Sequence, residues 1–146
     1  MRNFLFLILL SLFVFSCKKD KPMSREPVIE LVSVGPTNIV QFKDSIEVVL
    51  KYYDNDGDLG DYLPDENSLM VKDSRLTLPD WYHISPLAPP DIELKIEGLL
   101  KIKINTMFLL GNGNQEFPTL SIKLKDRSGN WSNEIITSTI TINDSL

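Results

Sequence analysis

From residue 27 onward the sequence predicts an all-β sandwich of about seven strands, and three features predict it. Apolar residues recur at every second position rather than every third or fourth. The alternating runs are short and are separated by clusters of Gly, Pro, Asn and Asp. No stretch gathers its apolar residues on one helical face. Leu99 to Leu110 has the length of a helix, but its lysines alternate with isoleucines.

Taken in order, a first strand is expected over Val28 to Val34, ended by Gly35-Pro36. Ser45 to Tyr53 sets Ile46, Val48, Leu50 and Tyr52 against Glu47, Val49, Lys51 and Tyr53, the alternation of a half-buried strand. A short strand follows through Leu69 to Lys72. Ile92, Leu94 and Ile96, then Leu100, Ile102 and Ile104, read as two strands of a hairpin turning at Gly98. Leu120, Ile122 and Leu124 mark the next strand. The last sets Ile136, Ser138, Ile140 and Ile142 inward against Ile135, Thr137, Thr139 and Thr141. Between these two, Gly129-Asn130 can supply the positive φ angles of a hairpin turn, so Asp126 to Asn133 should form the final hairpin. Seven or so such strands fit an immunoglobulin-like sandwich, and the missing Cys-Trp-Cys framework excludes only the antibody-type subset.

The chain of 146 residues, 42% hydrophobic, suits one domain with a single core. Its formal net charge is -5; beyond the first sixteen residues, which hold only Arg2, 14 basic groups face 20 acidic ones, or -6. That sign repels phosphate backbones, and the lysines are scattered, which argues against nucleic acid as a partner.

Residues 1–16 have the composition of a secretory signal: a charged start at Met1-Arg2-Asn3, an apolar run from Phe4 to Phe15, and the small Ser16 before Cys17. The apolar run is short of the roughly 18 to 20 residues a spanning helix needs. Val14 to Cys17, V-F-S-C, resembles the lipobox of bacterial lipoproteins, whose cysteine is lipidated and becomes the new N-terminus. Cys17 is the only cysteine in the chain, so no internal disulfide competes for it. Residues 17–26 then form the lipidated cysteine and a tether with no apolar periodicity, leaving 27–146 as the domain. Lys18 after the cysteine resembles lipoproteins sent on to the outer membrane, and the S-C-K-K-D context is similar to that of many Bacteroidota lipoproteins. The implied partner is therefore a membrane, reached through lipid in the cell envelope, with either the periplasmic or the surface side open.

The chemistry of the chain concentrates in Y-Y-D-N-D-G-D-L-G-D, Tyr52 to Asp61. Asp54, Asp56, Asp58 and Asp61 fall within eight residues, with Gly57 and Gly60 free to curl the backbone. Carboxylates so close repel one another unless a cation, water or donor groups intervene. Alternate aspartates suit calcium, which takes six to eight oxygens. The loop is not an EF-hand: Asp65 stands at the twelfth position, but Leu59 occupies the sixth, where that loop requires glycine. Asp54, Asp56, Asp58 and Asp61 are thus candidate calcium ligands, and a turn closed by backbone N–H groups is the alternative.

The Y-D-N-D-G-D-L-G loop and the K-D-R-S-G-N-W-S-N hairpin together resemble a family of Bacteroidota lipoproteins that share a Y-x-D-x-D-G-D-L-G loop followed by such a hairpin. The resemblance implies an envelope location and an immunoglobulin-like fold, and it brings no activity with it.

No nucleophile, base and orienting group share a motif. His83 is the only histidine, Ser85 is too close in sequence to be its natural partner, and no G-x-S-x-G elbow is present. Trp81, Tyr82 and Trp131 lie in loop or turn contexts and are candidate ligand-binding residues. The sequence thus reads as a lipid-anchored, non-enzymatic envelope module that binds a protein or glycan ligand or assists a neighbour, with calcium as its candidate cofactor. A carbohydrate-active enzyme or its sugar-binding partner, and a purely structural envelope component, are the alternatives.

Overall fold

A computed structural model describes residues 24–89, 92–105 and 107–145. The signal segment, Cys17 and most of the tether lie outside the described residues. Ten strands and no helix are present among the described residues, and no helix there is long and apolar enough to cross a membrane. The fold is all-β, as the period of two requires.

One sheet has the order β1-β3-β6, from β1 (Val28–Gly35), β3 (Ser45–Asp54) and β6 (Ile96–Asn105). The facing sheet has the order β5-β4-β8-β9, from β5 (Asp80–Tyr82), β4 (Leu69–Asp73), β8 (Leu120–Leu124) and β9 (Ile135–Ile136). A third, β2-β10-β7, joins β2 (Asn38–Val40), β10 (Thr141–Asn143) and β7 (Gln115–Glu116), with β2 parallel to β10. Strands β1, β3 and β6 against β4, β8 and β9 occupy the places of A, B, E and C, F, G in an immunoglobulin-like sandwich. The strand count exceeds seven partly because the last two long strands each break in two. Pro118 interrupts the first, and the second follows it: Thr137 N–H donates to Leu120 O at 2.9 Å and Ile140 N–H to Pro118 O at 2.8 Å.

That break changes the phase of the final strand. Ile136, expected inward, is 62% exposed, while Thr137 is buried; after the break Ile140 and Ile142 are fully buried. Thr137 tolerates burial because its hydroxyl accepts the Leu120 N–H at 3.0 Å.

The core lies between the two larger sheets. Ile46, Val48, Leu50 and Tyr52 of β3 meet Leu69, Val71, Leu120, Ile122 and Leu124 from the facing sheet. Each such aliphatic side chain contributes about 1.5–3 kcal/mol when fully buried.

The expected hairpin at Gly98 is absent. Strand β6 runs straight through Gly98, which sits opposite Tyr52, while Ile92 and Leu94 are exposed and outside any strand. A Cβ on Gly98 would lie 2.6 Å from the Tyr52 hydroxyl, so glycine here makes room for a ring lying across the strand. The final hairpin forms as expected, with Gly129 at φ 91° and Lys125 bridged to Trp131.

Edge strand β1 is clipped to the second half of the molecule. The Asn133 side chain accepts the Ile29 N–H and donates to the Ile29 carbonyl, both at 2.9 Å. One amide thereby supplies the pairing that an edge strand lacks.

Candidate metal centre

The inward phase of β3 runs Ile46, Val48, Leu50, Tyr52 and ends on Asp54, which is only 1% exposed. A carboxylate carried into the end of a core must find partners. Its Oδ2 does: it accepts the Asp58 N–H at 2.8 Å and the Leu59 N–H at 3.2 Å. Those two bonds curl the chain back, and the curl requires Gly57 at φ 74°. A Cβ there would stand 2.4 Å from the Leu94 carbonyl oxygen. Leu94 in turn donates its N–H to Asp56 O at 3.3 Å, closing one side of the loop.

The other side is closed by the final hairpin. Asp58 Oδ2 accepts both the Ser128 N–H at 3.0 Å and the Ser128 hydroxyl at 2.7 Å. The Asp58 carbonyl accepts the Arg127 N–H at 3.1 Å. The Arg127 guanidinium donates to Gly60 O at 2.9 Å and Gly57 O at 3.4 Å, and lies 5.0 Å over the Tyr62 ring. Leu59 and Asp126 form a β-bridge between the two segments.

With Oδ2 of Asp54 and of Asp58 committed to N–H or hydroxyl donors, the Oδ1 atoms of Asp54, Asp56 and Asp58 are shielded from solvent and accept no hydrogen bond. One carboxylate oxygen from each of these residues lies within 4.8 Å of the others. At that separation each pair of full charges costs on the order of 3 kcal/mol at an effective dielectric of about 20. The cost shows in Asp56, whose carboxyl is pushed up to about 6 by burial first, then by the close approach of the Asp54 carboxylate and the charges of Asp58 and Asp54. Asp126 is also raised, first by burial and then by the charges of Asp58 and Asp54, although Asn130 gives it two hydrogen bonds. The nearest arginine pairing is loose: Arg25 Nε stands 3.9 Å from Asp56 Oδ2 with its side chain 69% exposed.

An all-oxygen donor set selects a hard cation, calcium or magnesium, over zinc. Asp54, Asp56 and Asp58 fit such an ion. Asp61 does not join them: its Oδ1 accepts the Leu63 N–H at 2.9 Å and closes a small turn of its own. Its backbone N–H donates to Ile84 O at 2.8 Å, which fixes Gly60 beside Ser85. Asp65, the twelfth residue of the loop, is exposed.

Ser128, Arg127 and Leu94 are parts of the centre that sequence spacing did not mark. The signal was present in the two motifs themselves: the acidic loop and the D-R-S-G-N hairpin touch.

The aromatic candidates separate. Trp81 and Trp131 come together, ring centroids 5.8 Å apart and tilted by 57°, with Lys123 Nζ 5.1 Å over the Trp131 ring. Tyr82, next to Trp81 on a strand, has the opposite phase, lying across from the core residue Leu69. His83 donates from Nδ1 to Glu66 O at 2.9 Å.

No family model and no curated protein matches the chain. Among solved structures it is similar to a crystal structure of a mutant SrpA adhesin from Streptococcus sanguinis, at 19% identity and a TM-score of 0.34. The match covers 84% of this chain and 58% of that one, so this chain spans little more than half of the adhesin chain. A similarity of that size leaves fold and function to be read from the residues themselves.

Proposed function

We propose that this chain is a lipid-anchored cell-envelope binding module whose sandwich is completed at one end by a calcium ion on Asp54, Asp56 and Asp58. The observation that carries the calcium reading is the trio of shielded, unpartnered Oδ1 atoms. A turn alone would use Oδ2 of Asp54 and Asp58 and has no need to bring a carboxylate oxygen of each of the three residues within 4.8 Å of the others. Calcium supplies charge neutralisation there; the protein supplies a loop already held open by Gly57, Ser128 and Arg127. The lipid part rests on the signal segment and Cys17, and Ser24, the first described residue of the tether, accepts a bond from Asn55 Nδ2 at 2.7 Å beside the loop.

The test is a thermal melt of residues 18–146 in calcium, in magnesium and in chelator, followed by titration calorimetry. Calcium should raise the melting temperature, with roughly one ion bound per chain. Identical melts in all three would assign the aspartates to the turn alone.

A further inference from the structure

We propose that the outer face of β5, β4 and β8 binds an acidic polysaccharide, with Trp81 as the stacking platform and Lys123 as the contact for a uronic-acid carboxylate. The site is separate from the metal loop and does not depend on it.

The solvated face of an antiparallel sheet ordinarily carries polar residues. Here the outward positions read otherwise across the strands. Trp81 lies opposite Met70, and Met70 opposite Lys123. Lys72 lies opposite Ser121, and Ser121 opposite Ile136; Lys125 is bridged to Trp131. Trp81 is 45% exposed and Ile136 62%. A tilted indole pair cannot cover both faces of both rings, so an aromatic face stays open to solvent. Apolar surface gathered in this way on a soluble face marks a contact site.

Charge decides the class of ligand. The chain as a whole is acidic, net -5, yet Lys72, Lys123 and Lys125 share this face. Among the described residues none of the three is in an ion pair. On the opposite sheet two of the three lysines are engaged: Lys101 stands 3.8 Å from Glu47, and Lys51 lies over Tyr53. Glu134 immediately precedes β9, which pairs with β8, and it forms no ion pair with Lys123. The Trp131 ring holds the Lys123 ammonium in place without neutralising it. A flat apolar ring beside a positioned, unpaired ammonium matches a pyranose whose C–H face stacks and whose carboxylate projects from its rim. A neutral glycan would leave the ammonium unused, and an acidic peptide would leave the indole unused.

The experiment uses the full-length chain in detergent micelles, titrated with oligogalacturonate, with a neutral galactan oligomer of equal length, and with polyglutamate, followed by tryptophan fluorescence and calorimetry. Oligogalacturonate should bind and quench the tryptophans. Trp81→Ala should weaken it roughly tenfold, and Lys123→Gln should cut the preference over the neutral oligomer roughly fivefold with the melting temperature unchanged. The proposal is overturned if the neutral oligomer binds as tightly, if polyglutamate binds as tightly, or if no oligosaccharide binds at millimolar concentration. Lys123→Gln keeps the test informative should Trp81→Ala fail to fold.

Discussion

Asp58 and Ser128 are joined twice, through backbone and hydroxyl at 3.0 and 2.7 Å, across a sequence separation of 70 residues. The bond pair fixes which Asp58 oxygen is spent and so which one faces Asp54 and Asp56. Ser128→Ala removes the hydroxyl and keeps the N–H. Calcium affinity should fall on the order of tenfold, as for other groups that orient a metal ligand, with a stability loss in chelator of about 1 kcal/mol. Calorimetric titration and denaturant melts measure the two separately, and an unchanged affinity would show that Ser128 serves only the fold.

Asp56→Asn should act with opposite sign in the two metal states. Without cation it relieves a repulsion and leaves the melting temperature equal or higher; with calcium it removes a ligand and lowers it. A fall of equal size in both states would mean that the Asp56 carboxylate supports the turn and not an ion.

The metal-free protein should lose stability as pH rises. Asp56 has a folded value of about 6 against an ordinary 3.8, so the folded state holds a proton that the unfolded chain has released. That contribution is fully present below pH 4 and disappears as pH climbs through 6. Asp126, raised in the same direction, adds to it. Melts in chelator at pH 4.5 and 7, wild type against Asp56→Asn, isolate the Asp56 share; no difference between the two proteins would remove it. Calcium should abolish the loss at pH 7.

Gly98→Val should cost about 1–3 kcal/mol, because the new side chain meets the Tyr52 ring end at 2.6 Å and forces it from its place over β6. Pairing the substitution with Tyr52→Leu should recover part of the loss. If Gly98→Val alone is neutral, the ring is not held there.

Cys17→Ser should stop incorporation of labelled palmitate and release the chain from membranes. Retention on membranes without label would point to another anchor.

Gly98 also shows where sequence reasoning stopped. Glycine between two alternating runs signals a turn locally, whereas its actual cause is a tyrosine from a strand more than forty residues earlier, and no local pattern encodes that contact. The period of two located β3, β4 and β8 to within a residue or so because one face of each is buried. It failed in the last strand because a break after Ile136 resets the phase. In the loop, Asp54, Asp56 and Asp58 were legible from their alternation. Asp61 looked equivalent by spacing, but its carboxylate closes a turn on Leu63. Ser128 could not be found by spacing at all.

The Asn133 clip on Ile29 bears on mechanics. Were the chain held by lipid at Cys17, tension from a bound ligand would pass the Ser24 and Arg25 contacts beside the loop and load β1 along its axis. The seven residue pairs from Val28 with Tyr53 to Gly35 with Glu47 then take that load together in shear instead of opening one after another. Asn133 ties the loaded strand across to the hairpin that also holds Asp58, so a cation in the loop would stiffen the point at which the pull arrives.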